Sequence, residues 1–421
     1  MTIRRLMPTP ASVAWPHWLF WPALALYVAV LPVKHTIALR YLAFTLLLTA
    51  TAGLLATLRR WPRFPLAMPW LAYGVVAALS LLYAASPATS LEEIRTEIVY
   101  GALVFCIAAT WGRAVDMVRG LAMVVAGVNF VLVLIAFQYV DLDTPMDSVM
   151  KLPPLAFAGV NSNFIVSILP LLAFLSWDSW RSGARTLSLA IALVLIPMDT
   201  AALMVSYTRQ TSLALAAGLL CWGVLVLRNR FTWRRLMGVA AVLLMVAGLF
   251  VAQMVRRGGD QGDVIELVRS SVAQDIRWQL WRFSVEKIAE RPLTGSGFGR
   301  ETFDKLYADF LPDEPLLWHA HNMIINKGIQ MGIPGMAVFL ALWLALAREL
   351  ARHLAAAPRR RALAVAGLTT VVVVFAKNMT DDFFVRDIAL LFWLLAGSMI
   401  GSLEYQEGRE KASGGPHRLS A

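Results

Sequence analysis

About twelve stretches of this 421-residue chain stay apolar for roughly 17 to 25 residues at a time, the length of helix that crosses the hydrocarbon of a bilayer. They fall near residues 17–33, 36–58, 66–85, 96–112, 117–140, 156–177, 187–206, 211–228, 236–255, 323–348, 362–378 and 387–403. No other feature limits the fold as strongly, because a run of that length in lipid must satisfy its own backbone hydrogen bonds, and a helix does so. The charged residues are 15% of the chain, against about 25% in an average soluble protein, and sit in short clusters between the runs. A water-soluble globule needs a richer polar surface than this. The expected fold is an all-α integral membrane protein of about 12 transmembrane helices forming one integral domain.

The formal net charge of +11 does not point to nucleic acid, since the basic residues lie at the ends of runs and form no stripe interleaved with stacking aromatics. Their expected role is topological. With the N-terminus in the cytoplasm, the inner segments carry Arg59, Arg60 and Arg63, Arg113 and Arg119, Arg181 and Arg185, Arg228, Arg230, Arg234 and Arg235, and the cluster from Arg348 to Arg361. The outer segments receive Glu92, Glu93 and Glu97, then Asp141, Asp143 and Asp147, then Asp381 and Asp382. The positive-inside rule therefore predicts both termini on the cytoplasmic side. Arg4 and Arg5 ahead of the first run read as an uncleaved anchor, with the mature chain starting near Met1. Cys106 and Cys221 lie inside apolar runs and are expected to pack there, outside any disulfide or metal site. Trp15, Trp18, Trp21, Trp61 and Trp70 are placed where interfacial belts form.

One outer segment is too long for a connector, and loops of that size usually carry function. The chain thus divides into residues 1–255 with nine spans, a large outer loop over 256–322, three spans over 323–403, and a polar tail, 404–421, expected to be disordered. Within the loop, Val268, Val272, Ile276, Leu280 and Phe283 recur at helical spacing among charges, predicting an amphipathic helix from Val264 to Glu290 that lies over the bundle and ends at Arg291-Pro292. Gly295-Ser296-Gly297-Phe298-Gly299 follows. No strand precedes it, so a flexible turn is expected and not a nucleotide loop. No internal repeat is visible.

The strongest chemical signal is Trp318-His319-Ala320-His321-Asn322, followed by Met323 to Met331 and then Gly332-Ile333-Pro334-Gly335. Gly332 and Pro334 should break the helix, so that His321 and Asn322 open a short half-helix ahead of the tenth span. The positive end of a helix dipole disfavours an imidazolium, which suits His321 to serve as a general base. The competing reading makes His319 and His321 ordinary interfacial polar residues.

A His-Asn pair, nine residues, then Gly-x-x-Gly, just after a large outer loop in a twelve-span chain, resembles the O-antigen ligase family of bacterial lipopolysaccharide assembly. Over roughly the C-terminal half, Ser206-Tyr207-Thr208-Arg209 resembles the family's Thr/Ser-Arg segment, and Arg277 with Trp281 resembles its Arg-x-x-x-Trp helix. Pro292-Leu293-Thr294-Gly295-Ser296-Gly297 resembles its Pro-Leu-x-Gly-x-Gly turn, and Asn161 and Asn163 loosely resemble an Asn near its sixth span. The wider superfamily includes O-antigen polymerases and protein O-oligosaccharyltransferases, which these segments do not separate well.

The resemblance implies a GT-C-like architecture and transfer of a glycan from undecaprenyl pyrophosphate to a sugar of the lipid A core, on the periplasmic face of the inner membrane. It implies inversion, no metal and no cofactor. The partners would be the lipid-linked O-antigen donor, the lipid A core acceptor and membrane lipids, with no nucleic acid. A pyrophosphate leaving group calls for guanidinium groups that grip phosphate oxygens in pairs, and Arg209, Arg277 and Arg282 are the candidates. His321 would take the proton of the acceptor hydroxyl. Asn322, Asn163 and Asp382 are further candidates for substrate binding, and Gly332 and Gly335 for a structural motif. Each arginine has a plainer explanation: Arg282 can pair with Glu286 along its helix, Arg277 can stack on Trp281, and Arg209 can snorkel to the interface. Asp381 and Asp382 could bind a divalent cation or orient His321, although adjacent loop carboxylates more often cap or face solvent. Lys34, Arg40 and Lys151 could extend a basic outer surface. A twelve-span secondary transporter is the alternative of another class. It predicts two related halves and substrate groups near the midplane, whereas this chain gathers its polar residues on the outer side around one asymmetric loop.

Overall fold

The computed structural model describes residues 14–33, 35–59, 63–138, 158–205, 209–228, 232–258, 275–310, 319–380, 382, 384 and 386–413. In chain order the helices are α1 (Ala14–Val30), α2 (Ile37–Leu58), α3 (Ala67–Ser80), α4 (Pro87–Glu93), α5 (Tyr100–Ala114), α6 (Met117–Gln138) and α7 (Ala158–Arg181). They continue with α8 (Arg185–Ala190), α9 (Ile196–Val205), α10 (Arg209–Leu227), α11 (Trp233–Gly258), α12 (Arg277–Glu290) and α13 (Glu301–Tyr307). The last three are α14 (Met323–Ala351), α15 (Pro358–Asn378) and α16 (Arg386–Ala412). Wider turns join α4 to α5 through Ile94–Val99 and α8 to α9 through Ile191–Leu195. Every apolar run of the sequence coincides with a helix or a chain of helical segments. Among the described residues, nine helical stretches are long and apolar enough to cross a membrane, and Ala67–Tyr83 and Leu236–Gly248 are shorter apolar helices. The protein is an all-helical, multi-pass membrane protein.

Packing is densest along the seam between α5 and α16. Gly397 and Gly401 of α16 lie against the carbonyls of Phe105 and Ala109, and a Cβ built on Gly112 would come within 2.9 Å of the Gly401 Cα. Small residues at such crossings let helix backbones approach closely, which is how helices associate where water cannot drive them together. Trp70, Phe105, Phe339, Trp343, Phe384, Phe392 and Trp393 fill the adjoining core with edge-on and stacked rings. Trp70 is buried there and is no interfacial residue, because its ring fills the space beside Gly101 and Trp393, whereas Trp15 and Trp18 do face outward. Cys106 and Cys221 are free thiols inside α5 and α10. Lys34, Trp61 and Lys151 lie outside the described residues.

At one end of the bundle the basic residues are bound in ion pairs. Arg359 bridges Asp116 at 2.6 Å and Asp178 at 2.7 Å, Arg360 reaches Glu410 at 2.9 Å, and Arg113 pairs with Glu404. These contacts correct the expectation of a disordered tail: residues 404–412 continue α16, because Glu404, Glu407 and Glu410 recur on one helical face opposite Arg113 and Arg360. Residues 414–421 lie outside the described part. Arg40 is tied down as well. It pairs with Asp387 and donates to the carbonyls of Val30, Leu31 and Val33, so it closes the α1–α2 turn onto α16 and adds nothing to an open basic surface.

Candidate active site

Residues 291–300 and 319–335 interlock, and the reason lies in the backbone. Gly332 breaks α14 with φ 65° and ψ −164°, a conformation open to glycine and closed to most other residues. In an unbroken helix the carbonyls of Ile329 and Gln330 would accept from the N–H groups of residues 333 and 334. Here Ile333 donates to Pro292 at 2.7 Å instead, and Pro334 has no N–H. The two orphaned carbonyls are filled from the loop: Ser296 N–H reaches Ile329 at 2.8 Å and Gly297 N–H reaches Gln330 at 3.0 Å. The Gly-x-x-Gly and Pro-Leu-x-Gly-x-Gly segments are thus two sides of one joint. Gly335 completes it, since a Cβ there would press on Met331 and come within 3.0 Å of the Lys327 carbonyl.

The turn around Gly297 is accordingly not a flexible connector. Residues 295–300 are buried, Ala85 N–H donates to Ser296 at 2.9 Å, and Phe298 N–H donates to the Ser80 hydroxyl at 3.1 Å. The hydrogen bonds of a broken helix fix the turn, which composition alone does not reveal.

The half-helix that precedes the break begins at Asn322, whose side chain accepts from the N–H groups of Ile324 at 3.0 Å and Ile325 at 3.1 Å, a regular N-cap. Its amide also donates to the Met379 carbonyl at 2.9 Å. His321 stands just before the cap, buried, with a left-handed backbone at φ 49°. Its N–H donates to Nδ1 of His319 at 2.9 Å, and the two rings lie 4.0 Å apart. Nε2 of His319 meets the guanidinium of Arg300. Burial, then the Arg300 guanidinium, with the neighbouring His321 and Arg277 acting in the same direction, holds the His319 ring well below the ordinary histidine range, so it is neutral. Ala320, between the histidines, is held from both sides: its N–H donates to the Asn326 side chain at 3.0 Å, and its carbonyl accepts from the Trp281 indole at 2.9 Å.

Behind this segment the same half-helix turns a lysine into the protein. Lys327 pairs with Glu97 at 2.7 Å, with both side chains 6% exposed, and touches Gln330 at 3.2 Å. Tyr73 donates to the same carboxylate at 2.7 Å, and the ring of Phe298 lies 4.4 Å from the ammonium. Asp382 accepts from Asn326 and, at 3.2 Å, from the N–H of Phe384. It therefore binds the loop before α16 to the half-helix.

The structure brings together His321, Asn322, Asp382, Gly332 and Gly335 around the half-helix, and it sets Arg277 close enough to act on His319. Arg277 itself is partly buried and 3.6 Å from Asp275. Arg282 is not part of this group: its side chain is 86% exposed and pairs with Glu286 at 3.3 Å, one turn along α12. Asn163 lies between α7 and α15, 3.4 Å from the amide of Asn378, the residue before the Met379 whose carbonyl Asn322 holds. Arg209 opens α10, with its side chain outside the described part, as are the side chain of Asn161, all of Ser206–Thr208, Asp381, and residues 264–274 of the expected loop helix. Sequence reasoning missed Arg300, Lys327 and Glu97. The first follows the glycine turn directly, and the second is a lysine inside an apolar window, a signal of function in itself. Among the described residues no three His, Cys, Asp or Glu side chains gather as a metal site would need.

The family model for O-antigen ligase matches residues 190–340. Over that stretch, about a third of the chain, the sequence is similar to the O-antigen ligase family. The match takes in α9 to the first turns of α14, and so contains the loop helix, the glycine turn and the His-Asn half-helix. A protein of Rickettsia prowazekii (strain Madrid E) named "Putative polysaccharide ligase RP358" is 38% identical over 69 residues, 15% of this chain and 17% of that one. A Rickettsia bellii (strain RML369-C) protein, "Putative polysaccharide ligase", is 33% identical over a stretch of the same length, again 17% of its own chain. The chain therefore spans about a sixth of the length of the curated relatives it matches.

Proposed function

We propose that this protein transfers a glycan from undecaprenyl pyrophosphate to a sugar of the lipid A core, on the periplasmic face of the bacterial inner membrane, with inversion and without a metal. The family match supports the class of reaction. The observation that carries the reading is the His321–Asn322 pair at the start of a half-helix, with Arg277 and Arg300 gathered about the adjoining His319. In this reading both termini are cytoplasmic, residues 256–322 form the outer loop, and the bound arginines around Arg359 and Arg360 face the cytoplasm.

The chemistry is a single displacement. The acceptor hydroxyl oxygen attacks the anomeric carbon of the donor, the bond from that carbon to the phosphate oxygen breaks, and the hydroxyl proton passes to His321. Undecaprenyl pyrophosphate leaves as an anion and needs no proton, so one base suffices. Guanidinium groups in a site shielded from water stabilise the growing phosphate charge more than they would in bulk solvent. Arg209 and Arg277 are assigned that role, with Asn322 as a polar contact beside the reacting groups. Arg282, exposed on the far side of its helix, is the weakest member of the original set.

The test is reconstitution: purified protein, undecaprenyl-pyrophosphate-linked glycan and lipid A core, with EDTA and no nucleotide, followed on a gel. Glycan-bearing lipid A core is the expected product. Chain growth from lipid-linked repeats alone, with no core product, would replace the ligase with a polymerase, and a requirement for added Mg²⁺ would overturn the metal-free displacement.

A further inference from the structure

We propose that α12 is an interfacial helix: its exposed apolar wing, together with Leu293 and Ile333, is seated in the acyl boundary of the bilayer, and what covers it is membrane lipid. Around the helix the side chains fall into three sectors. Leu280 and Ser284 are buried against the protein. Gln279, Arg282, Glu286 and Glu290, at intervals of three and four residues, form an exposed polar wing. Trp278, Val285 and Ala289, at i, i+7 and i+11, form an exposed apolar one, with Trp278 54% and Val285 55% exposed. Side chains of that kind gain from an acyl boundary what water denies them, and tryptophan is enriched at that depth.

Lipid is the occupant because the wing continues the outer face of the span beside it. α14 presents Ile333, Ala337, Ala341 and Leu344 as one exposed stripe at helical spacing, with Arg348 at its end. In a multi-pass membrane protein such a stripe faces acyl chains. Counted back from Arg348, about 20 residues of helix, or about 30 Å of hydrocarbon, reach the neighbourhood of Gly328. The break at Gly332 therefore lies in the last turn of the hydrocarbon. The glycine joint fastens α12 at that depth: Ile333, 55% exposed, donates its N–H to the Pro292 carbonyl at 2.7 Å, and Leu293, 73% exposed, is the next residue. A Cβ built on Gly328 would press on both Ile288 of α12 and Met336 of α14, so the edge of α12 that borders the apolar wing is turned toward the span. The polar wing lies on the opposite side of the helix from Ile288, toward water. The lipid-facing stripe thus runs from Leu344 through Ile333 and Leu293 onto Ala289 and Val285. This placement needs no part of the transfer reaction, although in that reaction it would hold Arg277 at the depth of a lipid-linked pyrophosphate.

Spin labels read this depth directly. In the full chain carrying Cys106→Ala and Cys221→Ala, a nitroxide is attached in turn to Val285→Cys, Ala289→Cys and Leu293→Cys on the apolar side, and to Gln279→Cys and Glu290→Cys on the polar wing. All five side chains are exposed, so a label displaces no core, and melting curves confirm that each chain folds. In phospholipid nanodiscs, the ratio of collisions with dissolved oxygen to collisions with a water-soluble nickel chelate should be higher by about threefold or more at Val285, Ala289 and Leu293 than at Gln279 and Glu290. Equal ratios in the two sets would overturn the placement. So would few collisions with either reagent at Val285 and Ala289, the result expected if another protein surface covers the wing. A chain that transfers no glycan yet keeps the difference in depth would sink the transfer reaction and leave the placement standing.

Discussion

The α5–α16 seam and the knot around the half-helix are both buried, yet they are built from opposite materials. The seam uses glycines and apolar rings, with Gly397 and Gly401 pressed against the carbonyls of Phe105 and Ala109. The knot uses Lys327, Glu97, Tyr73, Asn326, Asp382, Arg300 and two histidines, each with a named polar partner. A seam of that kind costs nothing in desolvation and holds the bundle. A knot of polar groups in low dielectric is costly unless every partner is present, and it then fixes one geometry. The knot lies beside the His-Asn segment, inside the stretch that the family model matches, as the proposed reaction site requires, while the seam serves as scaffold.

That contrast can be broken at either end. The largest effect should come from Lys327→Met, which leaves Glu97 buried and uncompensated and should cost about 3–5 kcal/mol, read from thermal melts in detergent. Adding Glu97→Gln in the same chain should return much of that loss; a double variant as unstable as the single one would show that the pair is not the source. Next, Gly401→Ala should cost about 1–3 kcal/mol by overpacking the seam while the protein that remains folded keeps its transfer rate. A drop in rate per folded molecule would erase the division between scaffold and site.

A smaller effect concerns pH. His319 is neutral in the folded protein and has an ordinary affinity for protons when unfolded, so the unfolded chain binds more protons below about pH 6.5. Stability from this group is full above that pH and declines as pH falls through it. His353, lowered by burial and by Arg360 at the other end of the bundle, acts in the same direction. The melting temperature should therefore fall between about pH 6.5 and 5, less steeply in His319→Asn and in His353→Gln; a flat profile would contradict neutral burial of both. The smallest effect is expected from Arg282→Ala, because an exposed pair one turn apart is worth about 0.3–0.5 kcal/mol. Transfer within about threefold of wild type should remain, and a large loss would bring Arg282 back into the site.

Much of the scaffold was legible in the sequence because lipid imposes one rule on every span: apolar side chains outside, backbone bonds inside. The break at Gly332 was equally legible, since a glycine and a proline two residues apart interrupt any helix. The knot was less so. Glu97 reads as one of three outer-loop acids and Lys327 as a stray charge in an apolar window, and the two are 230 residues apart in sequence. Nothing local tells a reader that they meet. Arg300 was hidden for a similar reason, because the turn before it looks mobile until the unfilled carbonyls of the broken helix are counted. The tail after Glu404 misled in the opposite sense: its polarity suggests disorder, while its acids on one helical face serve the arginines of neighbouring helices.

The central claim is that the knot presents His321 as the base for the acceptor hydroxyl that attacks a lipid-linked donor, and one comparison tests it most directly. Wild type and His321→Asn, a replacement that tolerates the left-handed backbone, should be measured side by side for binding of undecaprenyl-pyrophosphate-linked glycan and for single-turnover transfer to lipid A core. The account predicts donor affinity within about threefold and a transfer rate lower by about 100-fold or more. Equal transfer rates in the two proteins would contradict it.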